Sequence, residues 1–142
     1  MSVRSKRGHN LKKILICTHG GLAQGFKDAL ELIAGEVQGV NVLGISMEDT
    51  IDHVKAEIEA FINSSDLNDD KIILTDIPGG STTQAAFYSI NTAKRVHVVT
   101  GLNLGMLLEI YLSSEEDVSV LLKGCVISAK ETMNYLNDSY VL

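Results

Sequence analysis

The sequence has no apolar run near the roughly 18 residues that a membrane span needs, although apolar residues make up 45% of it. It has only two cysteines, Cys17 and Cys125. That is too few for a disulfide framework, and no Cys/His spacing suits zinc. Both sit among apolar neighbours and read as buried, reduced thiols. No acidic residue precedes Asp28, whereas Arg4, Lys6, Arg7, Lys12 and Lys13 are five of the 12 basic residues. Residues 14–142 therefore hold seven basic and 18 acidic side chains, a net charge of −11. Such an acidic body repels a nucleic-acid backbone, so nucleic acid is not an expected partner. The apolar stretch behind the basic start, Ile14 to Cys17, is too short for a secretory core. We read residues 1–11 as a flexible basic leader and residues 12–142 as a single cytoplasmic domain. There is no internal repeat, linker or low-complexity segment.

What is present is a regular alternation. "KILICT" from Lys13 to Thr18, "VNVLGI" at 40–45, "KIILTD" at 71–76 and "RVHVVTG" at 95–101 are short apolar strands. Between them run helical stripes. The first carries Leu22, Phe26, Ala29, Leu30 and Ile33, with Gly35 as its stop. The second carries Ile51, Val54, Ile58, Phe61 and Ile62, with Ser46 and Asp49 as a loose capping box. A third helix follows "IPGGST" and runs to about Asn91. Asn103 is expected to cap a short helix to Leu112. Ser113 or Ser114 is expected to cap a long one striped by Val118, Leu121, Leu122, Cys125, Val126, Ala129 and Met133. The fold class is α/β, an open, mostly parallel sheet with helices on both faces.

Open parallel sheets bind ligands beyond the carboxyl ends of their strands, where the strand order reverses. With the order 2-1-3-4, that rule selects the loops after the first and third strands. They are "THGG", carrying His19, and "DIPGGS", opened by Asp76. A histidine can attack phosphorus through one ring nitrogen while the other carries a proton held by a carboxylate. Asp76 is the best such carboxylate in the chain. Gly79, Gly80 and Ser81 open a helix whose free N–H groups favour an anion, and glycine lets backbone approach it closely. Pro78, the only proline, stiffens the loop. The spacing "GxxxxGKS" of a nucleotide-binding loop is absent, and no lysine or arginine stands nearby in sequence. The pocket thus suits one phosphoryl group rather than a nucleotide. Thr18 reads equally as a phosphoryl contact or as a bond to a backbone turn.

The pieces "ILICTHGGLAQGF", "ILTDIPGGST" and "TGLNLGMLLE", in that order, resemble the IIA component of the mannose family of the bacterial phosphoenolpyruvate:sugar phosphotransferase system. The resemblance runs from about Lys12 to Leu136. It implies a phosphocarrier in which His19 takes a phosphoryl group from the histidine-containing phosphocarrier protein and passes it to a IIB component. The IIC and IID membrane components then move the sugar. It implies that Asp76 bonds the other ring nitrogen, that Gly80 and Ser81 surround the phosphoryl group, and that no cofactor or metal takes part. It also implies a homodimer that exchanges an antiparallel edge strand, for which "NDSYVL" is the candidate. Some relatives have an aromatic residue where Pro78 stands, a proline where Thr82 stands, and bulkier residues at Gly21 and Leu22. These changes bear on the choice of IIB partner.

Other residues read more plainly. His9 lies in the leader, His53 is a solvated helix residue, and His97 is a packed or edge histidine. A Cys17 thiol with His19 as its base is disfavoured, because a buried thiol is inert. Two other functions compete. One is a regulatory or phosphoryl-donor module related to the dihydroxyacetone kinase phosphotransfer subunit. The other is a receiver-type module phosphorylated on Asp76, although the usual acidic cluster at the first strand is missing.

Overall fold

Four short apolar segments form one sheet in the computed structural model, which describes residues 12–139. The strands are β1 (Lys13–His19), β2 (Val40–Ile45), β3 (Lys71–Thr75) and β4 (Val96–Val99). Their order is β2-β1-β3-β4, and every pairing is parallel, with Ile16 opposite Val42 on one side and Leu74 on the other. The expected 2-1-3-4 order is therefore present. The two central strands are buried almost throughout, and in β3 all five residues are buried. That is why they read as continuous apolar runs rather than alternating ones.

Helices cover both faces. α1 (Leu22–Ala34), α4 (Leu104–Leu112) and α5 (Val118–Lys130) pack on one face, against Ile14, Ile16, Ile72 and Leu74. α2 (Ile51–Asn63) and α3 (Ser81–Thr92) pack on the other, against Leu15, Cys17 and Ile73. Ile14, Ile16, Ile72, Ile73 and Leu74 are all 0% exposed. Each such side chain contributes about 1.5–3 kcal/mol by leaving water. Strand alternation puts Cys17 on the α2/α3 face, and it directs His19, two residues on, to the same side. This parity aims the histidine at the start of α3. Lys71, also in the sheet interior, is 1% exposed and donates from Nζ to the Leu67 carbonyl at 3.3 Å.

Several local expectations are corrected. The buried face of α1 carries Ala23 and Leu30, flanked by Phe26 and Ala34, while Leu22 and Ile33 are exposed. The stripe lies one residue further round the helix, so Leu22 is left exposed at its start. Thr50, not Ser46, caps α2 by accepting the His53 N–H at 3.1 Å. Asp49 instead closes a turn, accepting the Ser46 N–H at 2.6 Å. Asp117, not Ser113 or Ser114, caps α5 through the Val120 N–H at 3.2 Å. Ser113 is drawn into the preceding turn, where it accepts the Glu115 N–H at 3.1 Å. Asn103 caps α4 as expected, taking the Met106 N–H at 2.8 Å. Met133 lies beyond the end of α5 and is 76% exposed. In "NDSYVL", Asn137 to Ser139 belong to a short helical turn, α6 (Leu136–Ser139). Residues 140–142, like the leader at 1–11, lie outside the described residues. No helix among the described residues is long and apolar enough to cross a membrane.

Candidate functional site

β1 and β3 lie side by side, and their carboxyl ends bring His19 to Asp76 across 57 positions of sequence. His19 Nδ1 lies 2.9 Å from Asp76 Oδ2, and the same oxygen accepts the His19 backbone N–H at 2.9 Å. The other oxygen, Oδ1, accepts the Ile77 N–H at 3.0 Å and the Thr82 hydroxyl at 3.2 Å. The carboxylate is thus engaged at both oxygens, and its side chain is only 7% exposed, while that of His19 is 45% exposed. Burial by itself would raise the Asp76 pKa. Bonds from the His19 backbone and ring outweigh it and hold the carboxyl below its ordinary value.

An ionised carboxylate only accepts, so Nδ1 carries the proton and Nε2 presents its lone pair outward. Nε2 faces the start of α3. A Cβ added at Gly80 would lie 3.2 Å from His19 Cε1 and 3.8 Å from Nε2, so a larger residue there would press against the ring. Gly79 takes a left-handed φ of 80°, which glycine adopts without strain. Gly80 is the N-cap of α3, Ser81 its first residue, and no side chain among the described residues caps that end. The first-turn N–H groups therefore stay open to an anion.

The loop is held from within. Gly80 N–H reaches the Ile77 carbonyl at 3.3 Å, and Thr83 Oγ1 donates to that carbonyl at 2.6 Å. Gln84 Nε2 donates to the Gly79 carbonyl at 3.1 Å. Thr83 also meets the hydroxyls of Thr75 and Thr100 at 2.8 and 3.2 Å, which ties α3 to the ends of β3 and β4. The turn after β1 is pinned to β2 by the Gly20 N–H on the Ile45 carbonyl at 2.8 Å. A Cβ on Gly44 would collide with the Gly20 carbonyl oxygen.

His19, Asp76, Gly79, Gly80 and Ser81 are therefore brought together. Thr18 is not. It is 0% exposed, and its hydroxyl reaches the His19 carbonyl at 3.4 Å, so the side chain lies under the strand end. Cys17 is buried, and burial, reinforced by the Asp76 charge, pushes its thiol up to about 12. Sequence reading does not single out Thr83 and Gln84, and Thr82, expected to bear on partner choice, is 0% exposed and bonded to Asp76; all three depend on the direction of α3. Gly44 carried a usable signal, because a glycine inside a strand marks close backbone approach.

The other histidines among the described residues pair elsewhere. His53 Nδ1 meets Asp49 at 2.7 Å on the exposed side of α2. His97 Nε2 and Arg95 meet the two oxygens of Asp70 at 3.0 and 2.8 Å. That second pair borders a groove of about 700 Å³ at the amino ends of the strands, lined by Lys12, Asp70, Arg95 and Tyr111. Its polar groups are engaged with protein, as Lys12 is with the Ser113 carbonyl at 2.7 Å. The His19 imidazole lies at the opposite end of the sheet.

A parallel sheet of order 2-1-3-4 defines a class, an open α/β protein, here with a carboxylate-bonded, exposed histidine at its switch point. Residues 13–123 match the family described as PTS system fructose IIA component, and the chain belongs to that family, the mannose-type IIA components of the sugar phosphotransferase system. It is 28% identical over 142 residues to the PTS system sorbose-specific EIIA component of Lacticaseibacillus casei, covering 90% of this chain and 99% of the relative. It resembles the phosphotransferase system component EIIA from Streptococcus agalactiae with a TM-score of 0.80 and 28% identity, over 89% of this chain and 98% of the other. The mannose/sorbose-specific IIA subunit from Enterococcus faecalis shares the fold, with a TM-score of 0.81 at 24% identity, over 87% and 92% of the two chains.

Proposed function

We propose that His19 is the phosphorylated residue of a phosphotransferase-system phosphocarrier. The donor is the histidine-containing phosphocarrier protein and the acceptor a IIB component, both met in the cytoplasm. The observation that carries this reading is the 2.9 Å bond from His19 Nδ1 to the Asp76 carboxylate, whose side chain is only 7% exposed, which leaves Nε2 beside Gly80 and the start of α3.

In the transfer, Nε2 attacks phosphorus in line. A new N–P bond forms as the N–P bond to the donor histidine breaks, and that ring recovers its lone pair. The Nδ1 proton stays on the ring, and Asp76 compensates the positive charge that develops there. The open N–H groups of Ser81 and its helical neighbours receive the phosphoryl oxygens, as fixed dipoles that need no reorganisation during the reaction. The reverse sequence delivers the group to IIB. The exposed ring lets each partner protein bring its own half of the site.

The occupied oxygens and low exposure of Asp76 argue against its being the phosphoryl acceptor in a receiver-like module. The test is phosphorylation with phosphoenolpyruvate, enzyme I and the phosphocarrier protein, read by intact mass. Wild type should gain one phosphoryl group that survives base, and His19→Ala should gain none. A label retained in His19→Ala, or one lost in base, contradicts the reading. Presenting the labelled protein to a candidate IIB and, separately, to a dihydroxyacetone kinase identifies the acceptor.

A further inference from the structure

The geometry points to Thr82 as a positioning residue for the His19–Asp76 pair: its buried hydroxyl holds the carboxylate oxygen that the histidine does not use. This rests on the phosphocarrier reading for its rate measurement alone.

The end of an aspartate side chain has a soft torsion. Rotation of the carboxylate about its Cβ–Cγ bond follows a broad, two-fold potential, so the covalent chain does not aim its oxygens. Aim comes from bonds at both ends. On Asp76, Oδ2 is taken twice by His19, while Oδ1 is taken by the Ile77 N–H at 3.0 Å and Thr82 Oγ1 at 3.2 Å. The Ile77 bond is between neighbours in sequence and travels with the loop. Thr82 belongs to the second position of α3, so its bond ties the carboxylate to a separate, rigid element.

The direction of that bond is settled by chemistry. An ionised carboxylate has no proton to give, so Thr82 donates. At 0% exposure the hydroxyl has no water to turn to, and an unmatched buried hydroxyl is costly. A continuous path then runs from the Thr82 O–H through the carboxylate to the Nδ1–H of His19. Clamped at both oxygens, Asp76 holds the imidazole in the tautomer whose Nε2 is the nucleophile. The remaining group coupled to Asp76 is Cys17 from β1, whose thiol stays neutral. His19 is therefore the only proton-bearing ring that this clamp controls among the described residues.

Two substitutions separate the hydroxyl from the packing it fills. Thr82→Val keeps the shape and removes the donor. Thr82→Ser keeps the donor and removes a methyl. The first readout is the ring nitrogen NMR spectrum of His19 in the unphosphorylated protein, which reports its tautomer without any phosphodonor. Thr82→Val should raise the share of the Nε2–H form, and Thr82→Ser should keep the wild-type spectrum. The second readout is the rate of phosphoryl acceptance from the phosphocarrier protein. Thr82→Val should slow it about tenfold, the scale of one hydrogen bond to a charged group, and Thr82→Ser should restore it. Wild-type tautomer balance in Thr82→Val overturns the proposal. So does an equal change in both variants, which would assign the effect to packing. If the tautomer shifts as expected while wild type accepts no phosphoryl group, the phosphocarrier reading fails and the positioning role stands.

Discussion

Nδ1 of His19 stands 2.9 Å from Oδ2 of Asp76, and that same oxygen takes the His19 backbone N–H at 2.9 Å. One oxygen therefore fixes both where the β1 end lies and which way its ring faces. Asp76→Asn keeps a similar shape but removes the charge that, in the proposed transfer, offsets the phosphorylated ring. Phosphoryl acceptance should fall on the order of 10²- to 10⁴-fold, as when a triad loses its orienting carboxylate. Rapid-quench measurement of labelled protein checks it, and a rate within a few fold of wild type would remove Asp76 from the mechanism.

Gly80 gives a test of space rather than charge. Its φ of −75° and ψ of 170° suit any residue, so Gly80→Ala should fold with a wild-type circular dichroism spectrum. Its new Cβ would press on His19 Cε1 at 3.2 Å and approach the Ile77 carbonyl at 3.5 Å. Transfer should slow by about tenfold, because small misplacements at a reacting atom are expensive. An unchanged rate would mean that the phosphoryl group does not sit over this loop.

Cys17 tests the neighbouring residue that shares the strand face with His19. Its thiol is 0% exposed and pushed up to about 12, first by burial and then by the Asp76 charge. Native protein at mildly alkaline pH should resist alkylation at Cys17 and become reactive on unfolding. Cys17→Ala should lose about 1–2 kcal/mol of stability from the small cavity while still accepting a phosphoryl group. Loss of phosphorylation in a folded Cys17→Ala protein would point instead to thiol chemistry.

Asp70 ties β4 to the sheet from its amino end, through Arg95 and His97. Burial by itself would raise its pKa, but the bonds from His97 and Arg95 hold it below the ordinary 3.8. A carboxyl depressed on folding adds stability above its unfolded value and loses it as pH falls through the folded one. The difference in melting temperature between wild type and Asp70→Asn should thus be full near neutral pH. It should shrink from about pH 4 downward. A difference that grew on acidification would reverse this assignment.

Charge predicts a salt effect on partner encounter. Residues 14–142 carry 18 acidic and seven basic side chains, which favours partners with basic rims around their own histidines. Second-order transfer rates should fall as ionic strength rises through about 0.1 M, where screening acts within roughly 10 Å. Stopped transfer assays across a salt series provide the measurement, and rates indifferent to salt would dismiss electrostatic steering.

Much of this architecture was legible in order and kind. The β3 segment "KIILT" has no polar face, and it lies in the middle of the sheet with every residue buried. The strands, the helices between them and the two site loops follow from apolar runs and from glycine placement. The helix starts were harder. Ser46, Asp49 and Thr50 are all capable caps, and so are Ser113, Ser114 and Asp117. The choice falls to the residue whose oxygen meets the free N–H once the preceding turn has closed. The face of α1 falls one residue from the expected stripe, because Leu22 and Ile33 match the period but are exposed while Ala23 and Ala34 pack inward.

By itself the sequence determined which residues could do chemistry. His19 and Asp76 each end an apolar strand, and Gly79-Gly80-Ser81 opens a helix, all on local pattern alone. Only the tertiary structure decided how they act together. Strand parity sends His19 toward α3 and turns the fully buried Thr18 beneath the strand end. The adjacency of β1 and β3 closes a gap of 57 residues to 2.9 Å. The first turn of α3 brings the Thr82 hydroxyl back to the far oxygen of Asp76. Hydrogen bonds form across space at fixed angles, and a linear pattern carries the donors and acceptors without the directions in which they point.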